Sequence, residues 1–201
     1  SGSGKSSLIN ILLGLIKVNN GQVFYDNLKI EELDKLEIRN NIGFVSQEPI
    51  IFNMSIRENL KIRDHSIDDK KIEDYINDFS LSSSFTNKNL NLDFIVDEKS
   101  SNLSGGEKQR LAFIREVIFE PSILILDEPT SSLDNETESI LLDTLRTEYS
   151  DSTLIIATHK TALLSVVDRI ILIANGGIVI DGPKDEVIKR LSDQSNMVSE
   201  E

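Results

Sequence analysis

Leu103-Ser104-Gly105-Gly106-Glu107-Lys108-Gln109-Arg110 opens a stretch that continues as an apolar helical run. It then reads Ile123-Leu124-Ile125-Leu126-Asp127-Glu128-Pro129-Thr130 and ends at Ser131-Ser132-Leu133-Asp134. Ser104 followed three residues on by Glu107 has capping-box spacing. A helix is therefore predicted to begin there, its first N–H groups and positive dipole end open to an anion. The two glycines let another backbone approach closely. Ile123 to Leu126 is an unbroken apolar run followed by two carboxylates. That is the pattern of a strand buried on both faces that delivers charge at its carboxyl end, the edge where α/β sheets place their chemistry.

Working outward, 201 residues suffice for one sizeable domain with its own core, and for little more than a small subdomain beside it. A net charge of -13 argues against nucleic acid as the main partner, since phosphate neutralisation needs clustered Lys and Arg. The acidity reads as plain solubility. There is no Cys, so neither a disulfide framework nor a thiolate metal site exists, as suits a reducing compartment. No run approaches the roughly 18 apolar residues of a membrane span. A membrane role would have to come through a partner.

The opening Ser1-Gly2-Ser3-Gly4-Lys5-Ser6-Ser7 fits the end of G-x-x-x-x-G-K-[ST], and Leu8, Ile9, Leu12, Leu13 and Ile16 continue it at helical spacing. The helix is expected to run to about Ile16. The motif's first glycine would fall two positions before Ser1, and the strand before it upstream as well, so the chain reads as a fragment of a longer one. Turns at Asn20-Gly21 and Asp26-Asn27 bracket a hairpin of Gln22–Tyr25 and Leu28–Ile30. Ile42 to Val45 is a compact strand that delivers Gln47 at its end. Helical pieces at 55–62, 68–79 and 81–87 form an insert. The helix from Gly105 is expected to close at Glu120-Pro121, and another to run from about Asn135 to Tyr149, capped by Asn135 with Glu138. Thr153 to Ala157 is a strand with His159 just beyond it. Strands at 169–174 and 178–180 flank the turn Asn175-Gly176-Gly177, 184–191 is helical, and 192–201 reads as a disordered polar tail.

Each candidate site has a plainer reading. In the opening loop, successive N–H groups and the helix dipole can cradle phosphate, Lys5 can reach the β- and γ-phosphates, and the Ser6 hydroxyl can ligate Mg²⁺. The plainer reading is a Gly/Ser turn capping a helix. Asp127 is placed to hold Mg²⁺ through water, and Glu128 to accept a proton from an attacking water. Two acids after an apolar strand are as often a solvated strand end. His159 can hydrogen-bond a γ-phosphate or orient Glu128, although a lone His is more often structural. Gln47 can ligate Mg²⁺ or orient water, although a surface Gln is the default. His65, in the insert, takes the default reading.

The order Lys5, Gln47, Ser104-Gly105-Gly106, Asp127-Glu128, Asp134, His159 carries the case. It resembles Walker A, Q-loop, signature, Walker B with catalytic glutamate, D-loop and H-loop of the ATP-binding cassette (ABC) ATPases, and the match spans nearly the whole chain. The resemblance implies an α/β fold, a P-loop NTPase RecA-like core with an inserted α-helical subdomain, and here the N-terminal β part missing. The core would be 1–52 and 106–191, the helical subdomain 53–105. It implies ATP and Mg²⁺ as cofactors and a head-to-tail dimer in which Ser104, Gly105, Gly106 and Glu107 contact the ATP of a second nucleotide-binding domain. Ser131-Ser132-Leu133-Asp134 departs only slightly from the usual D-loop.

Ile42 to Phe52, followed by Ser55-Ile56-Arg57-Glu58-Asn59-Leu60, looks like the exporter branch, whose cassettes are usually fused behind a transmembrane domain. In that branch a glycine-rich stretch with two acids precedes the signature. Here Glu98 matches one acid, Ile95 replaces the other, and Asp97 and Ser100 stand where glycines are usual. The expected function is ATP hydrolysis driving export through a transmembrane partner, at the cytoplasmic face of the cell membrane. The alternative is a soluble ABC ATPase of DNA repair or the ribosome. The repair type carries a long coiled coil between Walker A and signature, and no sustained heptads occur here; the ribosomal type has two cassettes in one chain.

Overall fold

Strands β3 (Ile42–Val45), β4 (Ile123–Asp127) and β5 (Thr153–Ala157) form a parallel sheet in the order β3-β4-β5 in the computed structural model, which describes residues 4–88, 90–97 and 99–198. All three strands lie where the sequence predicts them. Leu124, Ile125 and Leu126 of the middle strand are fully buried, which is why β4 reads as an uninterrupted apolar run. Each such side chain contributes roughly 1.5–3 kcal/mol of burial free energy.

The chain divides into two compact units, one of residues 39–158 and one of 1–38 with 159–201. In the first, the parallel sheet packs against α6 (Gly105–Val117), whose Leu111, Ala112, Phe113, Ile114 and Val117 are buried. The helix stops slightly before the predicted close at Glu120-Pro121, because Glu120 turns left-handed (φ 57°) and its N–H bonds the Val117 carbonyl. Helix α2 (Lys35–Asn41) leads into β3, and the insert comprises α3 (Ile56–Leu60), α4 (Asp69–Asp78) and α5 (Ser82–Asn87). Ser55 and Glu58 form a capping box on α3, and Asp68 caps α4. Helix α7 (Asn135–Glu148) carries one correction: its cap is Asp134, which accepts the Thr137 N–H, and not Asn135.

The outer side of β3 is occupied by side chains. The Glu116 carboxylate accepts the Phe44 N–H at 3.4 Å, and Arg63 donates to the Ile42 carbonyl at 3.0 Å and to Glu116 at 2.9 Å. The guanidinium of Arg63 also lies 3.6 Å from the centroid of the Phe119 ring.

The second unit holds α1 (Lys5–Leu12), the hairpin β1 (Phe24–Tyr25) and β2 (Leu28–Lys29), the antiparallel pair β6 (Arg169–Ala174) and β7 (Gly177–Pro183), and α8 (Lys184–Val198). Helix α1 ends before the predicted Ile16. Gly14 turns left-handed (φ 67°), and the Leu15 N–H bonds back to the Asn10 carbonyl at 2.9 Å. Helix α8 continues past Leu191 into the stretch that reads as a polar tail.

Candidate functional site

Asp127 pairs in register with Ala157, and Val45 with Leu126, so the three parallel strands end almost level. That edge collects Gln47, exposed beyond β3, and the half-buried Asp127 and Glu128. The Glu128 N–H bonds the Ala157 carbonyl at 2.8 Å, extending the ladder by one residue. There the backbone turns into the left-handed region, with φ 48° at Glu128. For a non-glycine residue this costs on the order of 1–3 kcal/mol and persists only where the surroundings impose it. Thr158 donates its hydroxyl to Glu128 Oε2 at 3.3 Å.

The turn after Glu128 is held from α6. Buried Gln109 donates through Nε2 to the Glu128 carbonyl at 3.1 Å and to Ser131 Oγ at 3.4 Å, and its Oε1 accepts the Ser132 N–H at 2.9 Å. Gly106 faces the same turn, and a β-carbon there would lie 3.2 Å from the Ser132 carbonyl oxygen. Sequence reading singled out neither Gln109 nor Thr158. The available signal for Gln109 was its spacing, one helical turn from Gly105 on the same face.

The predicted cap at Ser104 is present in both directions. Ser104 Oγ accepts the Glu107 N–H at 3.3 Å, and Glu107 Oε2 accepts the Ser104 N–H at 2.7 Å. Glu107 is buried and also takes Lys88 Nζ at 2.7 Å. Burial alone would raise its carboxyl; the Lys88 ammonium and the Ser104 donors outweigh this and hold it below the ordinary glutamate range. Ser104 and Gly105 stay exposed. Asp134 is exposed as well, and its bonds from Thr137 hold its carboxyl below the usual range.

In the other unit, Lys5 Nζ lies 3.1 Å from His159 Nε2. An ammonium has no acceptor, so in this contact Nζ donates and the ring nitrogen accepts. Gly4 at the α1 N-cap (φ 101°) supplies no side-chain cap, which leaves the helix start to its backbone N–H groups; Ser6 and Ser7 are exposed. Ser1, Gly2, Ser3 and Glu98 lie outside the described residues. His65 remains exposed in the insert.

The donors assigned to a metal, the Ser6 hydroxyl, the Gln47 amide oxygen and the Asp127 carboxylate, are all hard oxygens of the kind Mg²⁺ takes together with phosphate. Among the described residues no cluster of three or more His, Cys, Asp or Glu is placed to hold a metal ion alone. A Mg²⁺ held by a few protein oxygens and a nucleotide fits this set.

The family model described as ABC transporter matches residues 1–131. The chain belongs to the ABC transporter family. The resemblance read from its motifs is thereby borne out, as is the P-loop α/β fold. Among curated relatives, the putative multidrug export ATP-binding/permease protein of Staphylococcus aureus strain bovine RF122 / ET3-1 is 35% identical over 190 residues. The alignment covers 94% of this chain and 33% of that protein. The protein of the same description from strain NCTC 8325 / PS 47 gives the same identity and coverage. The chain thus spans about a third of the length of the curated relatives it matches. The solved structure of a bacterial Atm1-family ABC exporter with ATP bound superposes with a TM-score of 0.89 at 26% identity, covering 100% of this chain and 35% of that one. The chain is therefore an exporter-like ABC ATP-binding domain, from a family of ATPases.

Proposed function

We propose that this domain hydrolyses Mg·ATP and powers export through a transmembrane partner, working as one half of a head-to-tail pair of nucleotide-binding domains. The carrying observation is Glu128, the acid just past a strand whose Leu124, Ile125 and Leu126 are fully buried, fixed in a left-handed backbone and steadied by the Thr158 hydroxyl. That is how a general base is held at a constant position.

In this reading the α1 N–H groups, with Ser1, Gly2, Ser3, Gly4, Ser6 and Ser7, surround the nucleotide phosphates while Lys5 neutralises the β- and γ-groups. Asp127, Ser6 and Gln47 would hold Mg²⁺, which would offset charge on the phosphate oxygens. Glu128 takes a proton from the attacking water as its oxygen bonds the γ-phosphorus and the bond to ADP breaks. His159 hydrogen-bonds the γ-phosphate, and Gln47 orients the water. Ser104, Gly105 and Gly106 meet the partner domain's ATP at an exposed helix start, with Glu107 holding that start in shape through its cap and Asp134 on the adjoining D-loop.

Two lines support the transmembrane partner. The named relatives are ATP-binding/permease proteins about three times the length of this chain. Beyond Gln47, the apolar Ile50, Phe52 and Ile95 are exposed within one unit. Among the described residues no helix is long and apolar enough to cross a membrane. We place the domain at the cytoplasmic face of the membrane, bound through that partner.

The test is Glu128→Gln in the full-length protein. Nucleotide binding is expected to stay at wild-type affinity while Mg·ATP turnover falls by more than about 10²-fold. Turnover at the wild-type rate would remove Glu128 from the base role.

A further inference from the structure

We propose that Gln109 is a positioning residue for hydrolysis, anchoring from the helix the turn in which Glu128 keeps its left-handed conformation; this rests on the reading of Glu128 as the base. Gln109 is 2% exposed, yet its amide has bonds at both ends, all to the turn that follows the acid. A buried side-chain amide left unsatisfied is costly, so the turn and the amide fix one another. The Nε2 donor meets the carbonyl of Glu128 itself at 3.1 Å, the group whose direction depends on that residue's backbone angles.

Two further observations fit this role. The φ of 48° at Glu128 is a conformation that a residue with a β-carbon leaves unless held. The Oε1 acceptor takes the Ser132 N–H at 2.9 Å, so the turn is gripped on both sides of Ser131 and the amide cannot swing without breaking both bonds. Gln109 also sits on the helix that begins with Ser104-Gly105-Gly106, and Gly106 packs against Ser132. One rigid helix start thus sets the places of the signature glycines and of the Glu128 carbonyl together. The Ser131 N–H bonds the same carbonyl at 3.1 Å within the turn, and Gln109 ties that turn to the helix; without the Nε2 donor the turn loses this anchor, and the carboxylate its fixed place.

The experiment measures steady-state Mg·ATP hydrolysis and nucleotide binding on the full-length protein carrying Gln109→Ala, Gln109→Glu, Glu128→Gln, or Gln109→Ala with Glu128→Gln. Rates are expressed per nucleotide-binding-competent molecule, which separates catalysis from loss of folded protein. Gln109→Glu keeps the chain length and the acceptor for the Ser132 N–H while removing the donor, and so serves if the alanine variant folds poorly. The expectation is a kcat lower by about 10- to 100-fold for either Gln109 variant, with KM for ATP unchanged, as for a misplaced reacting group. The double variant should be no slower than Glu128→Gln alone.

A kcat within twofold of wild type for the Gln109 variants would overturn the inference, and so would a loss that appears in KM alone. A double variant slower than Glu128→Gln by the full factor of Gln109→Ala would also overturn it, because the two residues would then act independently. If Glu128→Gln itself turns over normally, the base reading fails and the inference with it; if only the Gln109 variants do, the base reading stands.

Discussion

The unit of residues 39–158 and the unit built from the two ends of the chain differ in how they treat their apolar residues. In the first, β4 lies between two parallel neighbours and Leu124 is 0% exposed. In the second, β6 and β7 pair only with each other among the described residues, and Ile178 is 65% exposed. The acid proposed as base and the turn that supports it stand on the closely packed unit. Lys5 and His159 stand on the other, where a two-stranded ladder brings little burial of its own. On the proposed reading, the general base stands over a dense core, while the flexible Lys5 ammonium, which would follow the phosphates, does not.

The sharpest way to break this contrast is a pair of truncations. Leu124→Ala should cost roughly 2–5 kcal/mol through a cavity in the sheet, whereas Ile178→Ala should change stability by less than about 0.5 kcal/mol. Urea unfolding midpoints of the two variants decide, and equal losses would erase the distinction. A smaller effect sharpens it within the packed unit: Ser104→Ala removes the side-chain half of the α6 cap and should cost about 1 kcal/mol. Faster amide hydrogen exchange in the first turn of α6, with β4 unchanged, is the expected signature.

The smallest effect is a pH dependence. Glu107 ionises more readily in the fold than in the unfolded chain, held by Lys88 and the Ser104 donors against the opposing effect of burial. Its contribution is therefore present above the ordinary value of 4.5 and lost as pH falls through its lowered folded value. Thermal unfolding of wild type should decline more steeply below about pH 4.5 than that of Glu107→Gln; parallel curves would show that the capping carboxylate contributes nothing to acid stability.

Much of the packed unit was legible because burial writes itself into sequence. Ile42–Val45 and Ile123–Leu126 carry no polar side chain, as strands covered on both faces require, and half-buried β5 keeps the apolar run Leu154–Ala157 behind an exposed Thr153. The cap at Ser104 was legible because a Ser with Glu three residues on, ahead of an apolar helical run, matches the capping-box spacing. The end of α1 was not, since Leu15 and Ile16 prolong the helical pattern while one left-handed glycine stops the helix. Asp134 and Asn135 are both good caps, and only the backbone angles decide between them. The backbone of Glu128 left no trace at all, because nothing in a glutamate announces a positive φ. Gln109 was hidden for a related reason. A polar residue on a buried helix face declares itself only once the groups opposite it are known.

Within the packed unit β3 is an edge strand, and an edge normally offers unpaired N–H and carbonyl groups to any other strand it meets. Here the Phe44 N–H is taken by Glu116 and the Ile42 carbonyl by Arg63, with the guanidinium covered by Phe119. The ion pair serves as a guard against self-association. A strand arriving at this edge would have to displace both bonds before it could pair with β3.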